Sequence, residues 1–504
     1  MQIRELLQKN ATSFSEKSAI IFKEQRISFL ELKELSFRLA SSLSILGVKR
    51  NDKVAVYLPN CPEYLYSYLA VWCTAATIVP LDFMLTEDEL VSCIAHCGAK
   101  ILIAKPKATV CLEKIKKSCP KLEYIIFCDQ HTDGYMRLDK LLSKANVNPP
   151  SIDADDKDQA IIFYTSGTTG KPKGVLINYL QLAASPKAME YFAELKAEDI
   201  ALCALPLSHL GGMLFLQSAI FFGTTVVLME RFIPLEFLKN VQDYRVTCFW
   251  LVPPMYYAFL QLKEFESFDL SSLKWIVSFG APGSAEQLRR FHTYCPNAHL
   301  LHGWGMTETN APNAVLPKGS QKIESVGRVA PWIELKIVDD NDREVLNGEI
   351  GEIVVRGWVV TEGYYKDPEL TSQTMRGGWF HTGDLGKFDE EGFLYIVGRK
   401  KEMIKVAGEI VFEPEVESVI HRHPDVVEVA VVGVPDKLRG EVPKAFIVLK
   451  ENSRVSEEEM RYFCRQHLAH FKIPHYFEFR SALPKNRTGK IDKESLRGAA
   501  QLRL

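Results

Sequence analysis

Ala160–Gly174 reads AIIFYTSGTTGKPKG. Ala160–Thr165 is a short apolar and aromatic run, the composition of a buried strand. From Tyr164 onward, YTSGTTGKPKG consists almost entirely of Gly, Ser, Thr and Lys. Gly167 and Gly170 let backbone N–H groups turn toward an anion. The hydroxyls of Thr165, Ser166, Thr168 and Thr169 add donors, and Lys171 and Lys173 add positive charge. A strand feeding such a loop is suited to cradling a triphosphate. A loop of the GxxxxGK[ST] kind needs a second glycine where, counting from Gly167, Pro172 stands, so this loop is of another class.

Outward from that strand, the first 300 or so residues repeat one arrangement: an apolar run, then a helix-length amphipathic stretch. The runs include Lys53–Leu58, Lys100–Lys105, Tyr124–Cys128, Thr224–Met229, Val246–Val252 and Leu273–Phe279. Apolar strands alternating with helices predict doubly wound α/β sheets covered on both faces, with ligands at the carboxyl ends of the strands. The loops after Thr165, Phe279 and Leu301 are therefore the places to search. From about residue 310 to 395, runs such as Ile333–Asp340 and Gly351–Gly357 alternate apolar and polar residues between Gly and Asp/Asn turns. That pattern predicts a small antiparallel, barrel-like subdomain. A lysine-rich junction follows Gly398. Beyond it, a helix (Pro414–Arg422), two strands (Val427–Val432, Lys444–Leu449) and a further helix (Ser456–His467) predict a small α+β domain. The expected division is 1–398, a junction at 399–401, and 402–504.

Composition narrows the function. The 504 residues carry a net charge of −2, with 47% hydrophobic and 25% charged residues. That balance is globular and gives no reason to expect a nucleic-acid partner. No apolar run is long enough to cross a bilayer, and the opening MQIRELLQKNATSF lacks a secretory core. A cytoplasmic enzyme is expected, with peripheral membrane contact left open. The 11 cysteines form no CxxC pair and are expected to be reduced, small apolar residues rather than zinc ligands.

Four further motifs offer chemistry. In LPLSHLGGM (Leu205–Met213), His209 stands between a strand and a glycine pair. In FGAPGS (Phe279–Ser284), Gly280, Ala281 and Pro282 open a groove for a flat ring. In HGWGMTE (His302–Glu308), Gly303 and Gly305 flank Trp304, which offers a stacking face, and Glu308 is a hard oxygen ligand suited to Mg²⁺. In GWFHTGD (Gly378–Asp384), Asp384 can accept two hydrogen bonds from a ribose diol. The chain closes with PKNRTGKIDK (Pro484–Lys493), where Lys490 follows a Thr-Gly turn.

These motifs, in this order along essentially the whole chain, resemble those of the adenylate-forming enzymes: acyl-CoA synthetases, firefly luciferase and peptide-synthetase adenylation domains. The resemblance implies ATP, Mg²⁺ and coenzyme A as reactants. By it, the loop Thr165–Lys173 holds phosphates, with Thr165 also near the metal. Gly280–Pro282 and Trp304 bracket adenine; most of the family has Tyr where this chain has Trp304. Thr307 approaches the phosphate, Glu308 binds the metal, Asp384 holds the ribose, Arg399 makes a second nucleotide contact, and His209 lies near the carboxylate and acyl group. Lys490 would bridge the carboxylate and α-phosphate. Lys401 would be the hinge of a mobile C-terminal domain, whose Lys405 and Gly408 serve thiol transfer. Glu409 stands where many relatives have an aromatic residue, so the family's coenzyme A contacts do not transfer in detail.

The acid is open at this stage. The stretches Leu205–Gly223 and Cys248–Phe259 are apolar and aromatic and offer no Asp to hold an ammonium, which disfavours an amino acid. A medium- or long-chain fatty acid is the first expectation and an aryl acid the second. Phe279, at a position often glycine in relatives, would shorten or redirect the acyl channel. The acceptor could also be a carrier protein's pantetheine. A silent nucleotide-binding regulator is disfavoured by the full set Thr307, Glu308, Asp384, Arg399 and Lys490.

Overall fold

The computed structural model describes residues 3–107, 109–128, 135–149, 151–165, 172–280, 285–310, 312–485 and 491–501. Two α/β sheets form the larger, N-terminal part. In one, the strands run Met136–Arg137, Tyr124–Phe127, Ile101–Ala104, Lys53–Tyr57, Thr77–Leu81, Gln159–Thr165 and Lys173–Asn178. All neighbours are parallel except the last pair, which is antiparallel. In the other, Trp275–Ser278, Cys248–Leu251, Ile200–Cys203 and Thr225–Leu228 form a parallel centre beside His299–Trp304. At one edge Ser18–Phe22 pairs in parallel with Thr225–Leu228 and turns back in an antiparallel hairpin with Gln25–Ser28; at the other, the short strands Ala314–Val315 and Arg328–Val329 are antiparallel.

Alternation along each strand divides its side chains between two cores. Val54 and Val56 point into the large core between the sheets, with Cys248, Trp250, Trp275 and Val277 from the second sheet. Ala55 and Tyr57 face the outer core of the first sheet, and Phe249 and Leu251 that of the second. The helix Pro62–Cys73 is buried along nearly all its length between the layers, which explains its lack of a polar face.

Residues 334–399 form the expected antiparallel sheet, built on Glu334–Val338, Gly351–Arg356, Trp379–Phe388 and Leu394–Arg399. The C-terminal domain is separate, with its own core around Val411, Val432, Ala445 and Phe446. Its long pair Val426–Asp436 and Gly440–Leu449 carries the helices Glu413–Ile420 and Glu457–His467. Among the described residues, no helix is long and apolar enough to cross a membrane.

Candidate active site

The two ends of the phosphate loop are fixed by backbone pairing. Thr165 and Lys173, which flank it, are antiparallel partners at one edge of the first sheet. Ser166, Gly167, Thr168, Thr169, Gly170 and Lys171 themselves lie outside the described residues. Tyr164 anchors the loop's root, its hydroxyl lying 2.7 Å from His96 Nδ1.

Glu308 sits in a one-turn 3-10 helix, Thr307–Thr309, directly after the strand His299–Trp304. Its carbonyl accepts from Thr361 N at 2.7 Å, while Thr361 Oγ1 donates to Leu176 O at 2.7 Å. Glu308 is thereby tied to the strand leaving the phosphate loop. The residue is 8% exposed, and its carboxylate accepts from Tyr364 Oη at 3.0 Å. Burial raises its pKa, Asp384 adds to the rise, and Tyr364 and Arg399 oppose it. A buried carboxylate with so little compensation suits a cation. Mg²⁺ characteristically takes one or two protein carboxylates and fills its remaining positions with phosphate and water.

Asp384 and Arg399 are directly opposed across the strands Trp379–Phe388 and Leu394–Arg399. Register alone brings them together, and Arg399 Nε meets Asp384 Oδ1 at 2.8 Å. The other carboxylate oxygen, Oδ2, accepts from Trp304 Nε1 at 2.8 Å. Each oxygen keeps a lone pair for a further donor, so the geometry can still receive a diol. Gly303, just before Trp304, is required by close approach: a Cβ there would lie 2.4 Å from Ala314 O and 2.5 Å from Phe279 Cζ. Gly280 has φ +91°, beyond what side-chain-bearing residues adopt easily. Ala281 and Pro282 lie outside the described residues.

His209 caps the start of the helix Leu210–Phe222, its Nε2 3.1 Å from Asp82 Oδ2. Asn60 and Tyr68 hold the preceding loop through hydrogen bonds with Leu205 and Leu207. Gly212 permits this loop to fold, since a Cβ would meet Pro206 O at 2.2 Å. His302, which precedes Gly303, is pushed down to about 4 by burial and is therefore neutral at physiological pH.

Cations gather where the two domains meet. Lys401 lies in the turn Lys400–Glu402. Its pKa is lowered first by burial, then by Arg399, with Lys173 and Arg497 adding to the effect, while Glu402 opposes it. Positive charges from the phosphate loop, the junction and the C-terminal helix thus share one field, as an incoming polyphosphate would require. Tyr257 and His421 make a ring contact at 5.1 Å across the same boundary. Lys405 and Gly408 stand apart from this cluster. Lys405 is exposed, its backbone N–H donating to Glu441 Oε2 at 3.2 Å, and it contributes to lowering the Asp340 carboxyl, behind Lys400. Gly408 turns the hairpin Met403–Val406 and Glu409–Phe412 with φ +94° and open space where a Cβ would be. Lys490 lies outside the described residues.

Sequence reading missed two members of this site. Tyr364 lies in an unremarkable TEGYYKD turn, and only the Thr361 tie reveals its place. Asp82 follows immediately on the strand Thr77–Leu81, and that position was a usable signal.

A Gly/Ser/Thr/Lys-rich loop after a strand, a buried carboxylate suited to a metal and a paired Asp–Arg on neighbouring strands are what a nucleotide-dependent enzyme would need. The pattern of the AMP-binding enzymes matches residues 7–365, and that of the AMP-binding enzyme C-terminal domain matches residues 415–490. The chain belongs to this family and, within it, to the acid–thiol ligases. It is 32% identical to a long-chain-fatty-acid–CoA ligase of Bacillus subtilis over 98% of this chain and 94% of that protein. It is 31% identical to a crotonobetaine/carnitine–CoA ligase of Escherichia coli, over 98% of each. Among solved structures it resembles the anthranilate CoA ligase AuaEII in complex with anthranoyl-AMP. The TM-score there is 0.93 at 28% identity, covering 100% of this chain and 98% of the other.

Proposed function

We propose that this protein joins an apolar carboxylic acid, a fatty acid in the first instance, to the AMP moiety of ATP with release of pyrophosphate. It then transfers the acyl group to the thiol of coenzyme A, releasing AMP. The observation that carries the reading is the junction of Asp384, Arg399 and Trp304 beside the buried Glu308. Two anions, carboxylate and triphosphate, must meet there, and their repulsion is the barrier that the site must lower. Lys173, Arg399 and Lys401 supply fixed positive charge, and Lys490 is assigned to the reacting carboxylate and α-phosphate. Glu308 would hold Mg²⁺, which supplies charge neutralisation at the phosphates when bound. Asp384 and Arg399 orient the ribose, and Thr307 lies beside the phosphate. His209, kept in place through Asp82, faces the acyl end.

After pyrophosphate leaves, the C-terminal domain turns about Lys401 and presents Lys405 and Gly408 for the thiol step. Their exposed position in this structure supports that order, because it leaves them free for a later arrangement. The fatty-acid choice is supported by the apolar stretches beside His209 and by the Bacillus subtilis relative. An aryl acid is the second reading, favoured by the rings of Phe215, Trp250 and Phe279 along one wall.

The test is acid-dependent pyrophosphate release from ATP with fatty, aryl and amino acids, with and without coenzyme A. Release with an apolar acid, followed by AMP and acyl-CoA formation, is expected. Formation of ADP, or no turnover with any acid, would rule the proposal out.

A further inference from the structure

We infer that Trp250 sets the length of acid this enzyme accepts, and that the acid is a compact one, a straight chain of medium rather than long length. The inference rests on the reading of the site as an acid-activating centre.

Trp250 and Val277 are register partners near the carboxyl ends of their strands, and Cys248 and Trp275 are partners one layer deeper. All four point into the core between the sheets. Phe279 follows the second of these strands, and its ring crowds Gly303 at the nucleotide site. From there the rings continue without a gap. Phe279 and Trp250 have centroids 6.3 Å apart, and Trp250 and Phe215 are 5.5 Å apart at 78°. This series, tilted at its first pair and edge-to-face at its second, forms a wall that runs from the reacting end of the site into the core.

A cavity of about 10 Å³ lies directly against Trp250 and Phe215, lined also by Ser218, Cys248, Trp275 and Val277. No charged side chain is among its described lining, and Ser218 turns its hydroxyl to Leu214 O at 2.9 Å. The surroundings would welcome methylenes, but the space holds at most one water-sized group. A chain growing from the site therefore stops at the Trp250 indole. The indole itself lines the cavity, so its removal enlarges the space ahead of a growing chain.

The test uses the full-length enzyme with saturated acids from acetate to palmitate in two-carbon steps, reading pyrophosphate release. The wild type should favour a medium chain such as octanoate and lose activity toward palmitate. Trp250→Ala should move the optimum to longer acids, with kcat/KM gaining roughly fourfold for each newly buried methylene. Trp250→Leu should shift it in the same direction by less, and provides the comparison if the alanine variant folds poorly. A wild type that prefers palmitate would overturn the inference without any variant. An unchanged length profile in an active Trp250 variant would do the same. Absence of turnover with every acid would instead count against the acid-activating reading itself.

Discussion

Trp304 Nε1 donates a 2.8 Å hydrogen bond to Asp384 Oδ2 within the buried floor of the nucleotide site. An aromatic residue expected only to stack on a base thus also fixes the carboxylate proposed to hold the sugar. Trp304→Phe keeps an aromatic face and removes the donor. A hydrogen bond to a charged group contributes about 1.5–3 kcal/mol, so KM for ATP should rise by roughly tenfold or more. The preference for ATP over 2′-deoxy-ATP should narrow at the same time. Steady-state kinetics with both nucleotides would show it, and equal ratios in wild type and variant would contradict the positioning role.

Glu308→Gln separates stability from function. Burial raises the Glu308 pKa, so the folded protein holds this proton more tightly than the unfolded chain does. The group's favourable contribution is complete below the ordinary glutamate value of 4.5 and is lost as pH rises through the folded-state value. Glutamine removes that loss and can still accept from Tyr364. The variant should therefore melt higher than wild type at neutral pH, with the difference vanishing in acid. Adenylate formation should fall by about a hundredfold or more. Melting curves across pH, paired with pyrophosphate release, test both halves.

Lys490→Ala should reduce adenylate formation by about a thousandfold, the scale of removing a charge-stabilising donor from a transition state. Thioester formation from a supplied acyl-adenylate should survive. Equal losses in the two half-reactions would defeat the assignment of Lys490 to the first.

Lys401→Pro should act in the opposite sense. Proline fixes φ in the turn Lys400–Glu402 and restricts the residue before it. Adenylation should be little changed, while the thiol step should slow by about a hundredfold, as when a reacting group is misplaced. Single-turnover measurements of each half-reaction would decide, and unchanged overall turnover would remove Lys401 as the pivot.

The parallel strands were legible because burial on both faces leaves nearly unbroken apolar runs, as in Lys53–Tyr57 and Trp275–Ser278. Strands that end in solvent were less so. Val426–Asp436 extends well past the apolar Val427–Val432, because pairing with Gly440–Leu449 carries it through Gly433, Pro435 and Asp436. The hairpin Met403–Phe412 hid within a lysine-rich stretch whose apolar and polar residues do not alternate cleanly, Ile410 being exposed. The N-terminal hairpin joins the second sheet by pairing Ile20 with Val226, a contact between distant parts of the chain that no local pattern announces. Glu308, in a turn just past a strand, and Asp384, buried within one, stood out in the sequence as candidates because their chemistry is unusual for their context. Tyr364 and Asp82 were not, since each acquires its place only when separate segments meet.

The strand that ends at Arg399 runs straight into the turn bearing Lys401. On the roles proposed above, the nucleotide's sugar would be gripped at the root of the lever proposed to swing. Departure of the spent nucleotide would then itself release the arm for the next cycle. Timing of this kind needs no separate sensor, because the grip and the swivel are consecutive stretches of one backbone.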